Sequence, residues 1–177
     1  TIKPRKNHLL LLYIWRDLAS RGGRPPKLVM VGKRGWENEQ VLDMLARCSA
    51  LREHVIEVAG LSTVALRRLM SNANAVLCPS FDEGYGFPMV EALAVGTPVV
   101  ASDIATCREA TEDWAIYRHP LDGTGWKEAI DSLALRQSTG WLDTKSRAAR
   151  YRVPTWRGYS EALSGFLQEI ASHCAAG

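Results

Sequence analysis

Ala75-Val76-Leu77-Cys78-Pro79-Ser80-Phe81-Asp82-Glu83-Gly84-Tyr85-Gly86-Phe87-Pro88-Met89-Val90-Glu91 changes character twice. Ala75 to Cys78 is a short apolar run of strand length. Pro79 to Gly86 carries the proline, aspartate and glycines of a loop. From about Phe87 to Val95 the spacing is helical, with Pro88 suited to the first helical turn and Gly96 to the stop. The stretch therefore reads strand, loop, helix.

The same unit recurs on either side. Lys27 to Gly32 is an apolar run ended by glycine, and Glu37 to Cys48 places Val41, Met44, Leu45 and Cys48 at helical spacing. Val55 to Val58 leads to Gly60. Ser62 can then cap a helix carrying Leu66, Leu69 and Met70. Pro98 to Ala101 and Trp114 to Tyr117 read as two more strands. Strands alternating with helices predict one parallel sheet covered by helices on both faces, a Rossmann-like, doubly wound α/β fold. The dense run His8 to Leu18 is too long for a strand and reads as a buried helix stopped at Arg21-Gly22-Gly23. From about residue 123 onward the pattern is wholly helical.

The 177 residues fit a single domain spanning 1–177. Thr1 to Pro4 leads directly into a helix, whereas doubly wound domains begin with a buried strand. That first strand is absent, so the sequence is expected to be a piece of a longer protein.

Twenty-two basic and 19 acidic side chains leave a charge of +3 with no blocks of one sign, which argues against nucleic acid as a partner. Cys48, Cys78, Cys107 and Cys174 are far apart, with no paired or histidine-flanked spacing, so reduced thiols and no metal site are expected. No signal peptide or membrane-length apolar run is present. A cytoplasmic protein is expected, with peripheral attachment at the inner face of a membrane left open.

The loop and helix start at Glu83 to Glu91 would lie at the carboxyl end of the sheet, where such folds bind ligands. Gly84 and Gly86 allow backbone to approach an anion closely, and the amides of a helix start carry partial positive charge, so a diphosphate suits them. Glu83 and Glu91 would repel a phosphate. They are expected to accept hydrogen bonds from sugar or ribose hydroxyls. A G-x-x-x-x-G-K-[ST] loop does not occur, and Met89 stands where a dinucleotide fingerprint needs its third glycine; an ATPase or a dehydrogenase is therefore disfavoured.

Glu, seven residues, Glu, around Gly-Tyr-Gly-Phe-Pro, resembles the donor motif of retaining glycosyltransferases of the GT-B fold, family 4 or glycosyl transferases group 1. The resemblance extends to Thr1 to His8, Val31 to Glu37, Gly96 to Ser102 and Trp156. It implies the C-terminal half of a GT-B enzyme that moves a hexose from a nucleotide-sugar to a glycan or lipid-linked acceptor, with the acceptor site on an N-terminal domain. Mannose from GDP-mannose is the first expectation, since Pro4 to Asn7 and Gly35-Trp36-Glu37 look like mannosyltransferases of polysaccharide biosynthesis. By the same resemblance Glu83 holds donor-sugar hydroxyls, the backbone of Gly84, Tyr85, Gly86, Phe87 and Pro88 meets sugar and diphosphate, and Glu91 binds the ribose diol. Arg5 and Lys6 take the diphosphate, which makes Glu83, Arg5 and Lys6 the catalytic candidates. No cofactor or metal is implied, because positive side chains and a helix start replace a divalent cation. The family often has arginine at the place of Thr1, so the sequence departs there and Arg5 is the candidate substitute.

Each feature has a plainer counterpart. Arg5 and Lys6 can be a solvated pair, and His8 a packed or capping side chain. Gly60-Leu61-Ser62 borders a nucleobase or is an ordinary capped turn. Trp36 and Trp114 are expected in core or rim packing. A non-catalytic nucleotide-sugar-binding module is the main alternative function. A receiver domain with Asp82 or Asp103 as phosphoacceptor is the other.

Overall fold

The computed structural model describes residues 1–20 and 25–175. The helix stop assigned to Arg21-Gly22-Gly23 and the side chain of Cys174 lie outside what is described.

Five parallel strands are present: β1 (Leu28–Val31), β2 (Val55–Val58), β3 (Val76–Cys78), β4 (Val99–Ser102) and β5 (Ile116–Arg118). α1 (His8–Ser20) precedes β1, and the helices between the strands are α2 (Glu39–Arg47), α3 (Thr63–Asn72), α4 (Phe87–Ala94) and α5 (Ala105–Thr111). After β5 come α6 (Gly123–Ala134), α7 (Thr139–Ala148) and α8 (Trp156–Ala175). The last strand begins two residues later than the sequence pattern suggests. Glu112–Trp114 form a 3₁₀ turn entered through Glu112 at φ 43°, which takes Trp114 out of the strand.

The strands fall into two parallel ladders. β1 pairs with β2, with Leu28 opposite Val55, while β3, β4 and β5 form a separate ladder, with Val76 opposite Val99 and Val100 opposite Ile116. A groove of about 620 Å³ runs between β1 and β3, lined by residues of both. Among the described residues no hydrogen bond joins their facing edges.

Helices cover both faces, and β4 shows why. Its side chains alternate: Val100 is buried with Leu11, Leu12 and Trp15 of α1 and Trp126 and Ile130 of α6, whereas Val99 and Ala101 are buried with Met89 and Leu93 of α4. A strand buried on both sides has to be apolar throughout, as Val99-Val100-Ala101 is. Each fully buried Leu or Met contributes about 1.5–3 kcal/mol. Trp15 and Trp126 add area and still satisfy their indole N–H groups, which donate to the carbonyls of Pro26 (2.7 Å) and His119 (3.0 Å).

Two helix ends fix the geometry around the chemistry. The Ser62 hydroxyl accepts from the Ala65 amide at 3.2 Å and caps α3. At the other end of α4, Gly96 takes φ 69°; its N–H donates to Leu93 and that of Thr97 to Ala92, closing a Schellman motif that turns the chain into β4. α8 differs from the rest. It is exposed over its described length, including the apolar Trp156, Tyr159, Leu163, Phe166 and Ile170.

Candidate functional site

The loop from β3 to α4 opens at the carboxyl end of the sheet. α4 starts at Phe87 with Gly86 as its N-cap at φ 83°, a left-handed conformation that favours glycine, and Gly86 offers no side-chain cap. Among the described residues the amides of Gly84, Tyr85, Gly86 and Phe87 have no hydrogen-bond acceptor, while Met89 donates to Gly86 at 2.9 Å. Unpaired amides in the loop and at the first turn of a helix are groups able to take an anion. A Cβ built on Gly84 meets nothing within 4 Å, so the space in front of it is open. Positive φ is required at Gly86 and not at Gly84.

A second segment comes up beside this loop. Pro4–Lys6 form one 3₁₀ turn, and Asn7 ends it at φ 52°, a left-handed value that asparagine tolerates better than most residues. Buried Asn7 donates through Nδ2 to the carbonyl of Pro120 at 2.9 Å. The Phe81 amide donates to the Arg5 carbonyl at 2.8 Å, stapling the turn to the β3–α4 loop.

The staple brings both expected cations to Glu83. The Lys6 ammonium donates to Glu83 Oε1, and Arg5 Nη1 stands 3.4 Å from Oε2 and 2.5 Å from the Asp82 carbonyl. Ser80 donates its hydroxyl to Oε1 at 2.6 Å. Glu83 is only 8% exposed. Burial pushes its pKa up, but the bonds from Lys6 and Ser80 and the charges of Lys6 and Arg5 more than offset this and hold it below the usual carboxylate range. The group is ionised at neutral pH, so it acts as an acceptor and a counter-ion, not as an acid.

Lys6, Ser80, Glu83, Pro88 and Glu91 all line the carboxyl end of the groove between β1 and β3. Glu91 is exposed and, among the described residues, makes no bond to another side chain. Tyr85 and Phe87 are exposed and lean on one another with ring centroids 4.9 Å apart. Gly60 and Leu61 lie beyond the carboxyl end of β2, outside this groove; Gly60 has φ 73° with open space around it. Trp36 is a rim residue, 60% exposed with the Lys3 ammonium 5.7 Å from its ring centroid, and Trp114 is half-buried against the edge of Tyr151. Asp103 accepts from Arg108 Nε at 2.5 Å and from its Nη2 at 2.9 Å. His8 has its pKa lowered to about 4, first by burial and then by neighbouring positive charge, which makes it a neutral packed residue at pH 7. Burial and the nearby Glu83 charge push Cys78 up to about 12 and Cys107 to about 11, so both are un-ionised thiols.

The family described as glycosyl transferases group 1 matches over residues 1–147. The chain belongs to that family. Among curated relatives, the serotype-specific mannosyltransferase WbdA of Escherichia coli is 30% identical over 172 residues, 97% of this chain and 20% of its own length. The O-antigen chain mannosyltransferase B of the same species is 32% identical over 165 residues, 92% of this chain and 39% of its own. The chain thus spans well under half the length of these relatives. Among solved structures, S. aureus TarM in complex with UDP, among other ligands, superposes with a TM-score of 0.72 at 18% identity, covering 92% of this chain and 33% of that one. HepE of Anabaena in complex with UDP and glucose gives a TM-score of 0.67 at 19% identity, covering 99% and 46%. The fold is that of a GT-B glycosyltransferase domain.

In this group 1 glycosyl transferase chain two positioning residues escape a sequence reading. Ser80 and Asn7 look like loop filler, yet one orients Glu83 and the other fixes the turn that carries Arg5 and Lys6. The only local signal is that Ser80 follows Pro79 at a strand end and that Asn7 separates a Pro-initiated turn from a helix.

Proposed function

We propose that this chain is the donor-binding domain of a retaining hexosyltransferase in polysaccharide biosynthesis, taking mannose from GDP-mannose to a glycan or lipid-linked acceptor at the cytoplasmic side of a membrane. The observation that carries the reading is the row of free amides at Gly84 to Phe87 beside Arg5 and Lys6, which Glu83 holds in place. The relatives named mannosyltransferases support mannose.

In this reading the diphosphate lies on the amides and the two cations, with no need for a metal. As the bond from the sugar's anomeric carbon to the diphosphate oxygen breaks, its electron pair goes to that oxygen. Preorganised positive charge stabilises the departing anion. Glu83 keeps Lys6 oriented and offers its outer lone pairs to sugar hydroxyls, while exposed Glu91 accepts from the ribose diol. The acceptor comes from a further, N-terminal domain of the longer protein.

Calorimetric titration with GDP-mannose, GDP, UDP-glucose and UDP tests this. GDP-mannose is expected to bind most tightly, Glu91→Ala to weaken every nucleotide about tenfold, and Arg5→Ala with Lys6→Ala to weaken diphosphates far more than guanosine. Equal losses for guanosine and GDP would remove the phosphate contact from the proposal.

A further inference from the structure

We propose that the side chains of Tyr85 and Phe87 form a stacking surface for a sugar ring of the acceptor, an inference that rests on the donor reading of the loop before α4 given above. The left-handed turn at Gly86 sets the two rings against one another, with centroids 4.9 Å apart and planes 50° from parallel. Tilted in this way they leave ring faces open, and the side chains are 44% and 65% exposed. The packing of the domain does not use them. α4 buries Met89, Val90, Ala92 and Leu93, and the groove between β1 and β3 is walled by Ser80, Glu83, Pro88 and Glu91 but by neither ring. Single exposed apolar side chains are ordinary on a protein surface, whereas a pair of rings beside a ligand site marks a further contact.

The surroundings of the rings decide what that contact is. The amides of Gly84 to Phe87 are assigned to the diphosphate and Glu91 to the ribose, so the donor is held by backbone and carboxylate and leaves the two rings uncovered. A glycosyltransferase has to hold a second substrate next to the first. One face of a pyranose is lined with C–H groups of partial positive charge, which the negative face of an aromatic ring attracts, while the hydroxyls turn outward. Tyr85 adds a phenol that makes no hydrogen bond among the described residues and can either donate to a sugar hydroxyl or accept from one. Asp82 and Glu83 balance Arg5 and Lys6 in charge, so the loop has no surplus of positive charge to draw an anionic surface such as a phospholipid layer. A neutral, hydroxyl-rich ring suits the rings and their polar neighbours together. The side chains of this loop thus hold the reacting end of the acceptor, and its backbone holds the donor.

The test is NMR on the chain with mannotriose or cellotriose at millimolar concentration, with and without GDP. Nuclear Overhauser contacts are expected from the ring protons of Tyr85 and Phe87 to the C–H protons of one sugar ring, and they should persist with GDP at saturation. Saturation transfer to the trisaccharide should fall about fivefold in Phe87→Leu and in Tyr85→Leu, and return in Phe87→Trp and Tyr85→Phe. An unmoved Val100 amide signal shows that each variant is folded. Equal transfer in parent and Phe87→Leu would overturn the proposal. So would the absence of ring contacts to either trisaccharide, which would point to a protein surface as the partner, and so would displacement of the sugar by GDP, which would give the rings to the donor. The two readings fail separately: ring contacts in a chain that binds no GDP remove the diphosphate site and keep the stacking surface, whereas GDP binding without ring contacts removes the stacking surface alone.

Discussion

The Lys6 ammonium donates to Glu83 Oε1 across a separation of 77 residues, so one ion pair joins the opening turn to the loop in front of α4. Glu83 is buried, and an unpaired buried carboxylate is costly. Lys6→Ala is expected to lower stability by about 1–3 kcal/mol, and Lys6→Ala with Glu83→Gln to recover part of that loss. Urea denaturation of both variants measures it. Additive losses would show that the two groups are not coupled.

Acid should destabilise the domain by two routes. His8 has a folded pKa of about 4 against an ordinary 6.5, so the unfolded chain binds more protons between those values and stability falls as pH drops through that window, by about 2–3 kcal/mol in total. Glu83 is depressed below the carboxylate range, so its contribution is present above about pH 4.3 and is lost as pH falls further. His8→Gln is expected to flatten the stability curve between pH 6.5 and 4 while leaving the lower limb. A curve with the same slope as the parent would rule His8 out as its cause.

Gly84 and Gly86 should respond differently to alanine. Gly86 has φ 83°, and Gly86→Ala is expected to cost about 1–2 kcal/mol of folding stability. Gly84 has open space in front of it, so Gly84→Ala should keep its melting temperature but weaken GDP-mannose binding, because the new methyl occupies the approach to the free amides. Thermal melts and titrations on the two variants separate fold from ligand contact. Unchanged binding in Gly84→Ala would remove close backbone approach at that residue.

Asn7 combines a left-handed φ with a buried bond to Pro120. Asn7→Gly keeps the first and loses the second; Asn7→Ala loses both. Stability should fall in the order parent, Asn7→Gly, Asn7→Ala, by about 1 kcal/mol at each step. Nucleotide affinity should follow the same order, since Arg5 and Lys6 sit on the turn that Asn7 closes.

Much of the architecture is written locally. β2 and the start of α4 lie where the apolar runs and Pro88 put them, and Ser62 caps α3 as its position suggests. These features depend on neighbours a few residues away, so periodicity and capping chemistry expose them. Trp114 misled for the opposite reason: its apolar character suits a strand, but the positive φ at Glu112 diverts the chain into a turn.

The sequence by itself determined the alternation of strands and helices, the glycine-framed loop before α4 and the family to which the chain belongs, because each is carried by residues adjacent along the chain. Only the tertiary structure decided that Arg5 and Lys6 neutralise buried Glu83, that Gly60 and Leu61 stand outside the groove, and that the sheet is split between β1 and β3. Those facts depend on contacts between residues far apart in the chain and on which strand edges find a partner. Spacing along a sequence does not encode either.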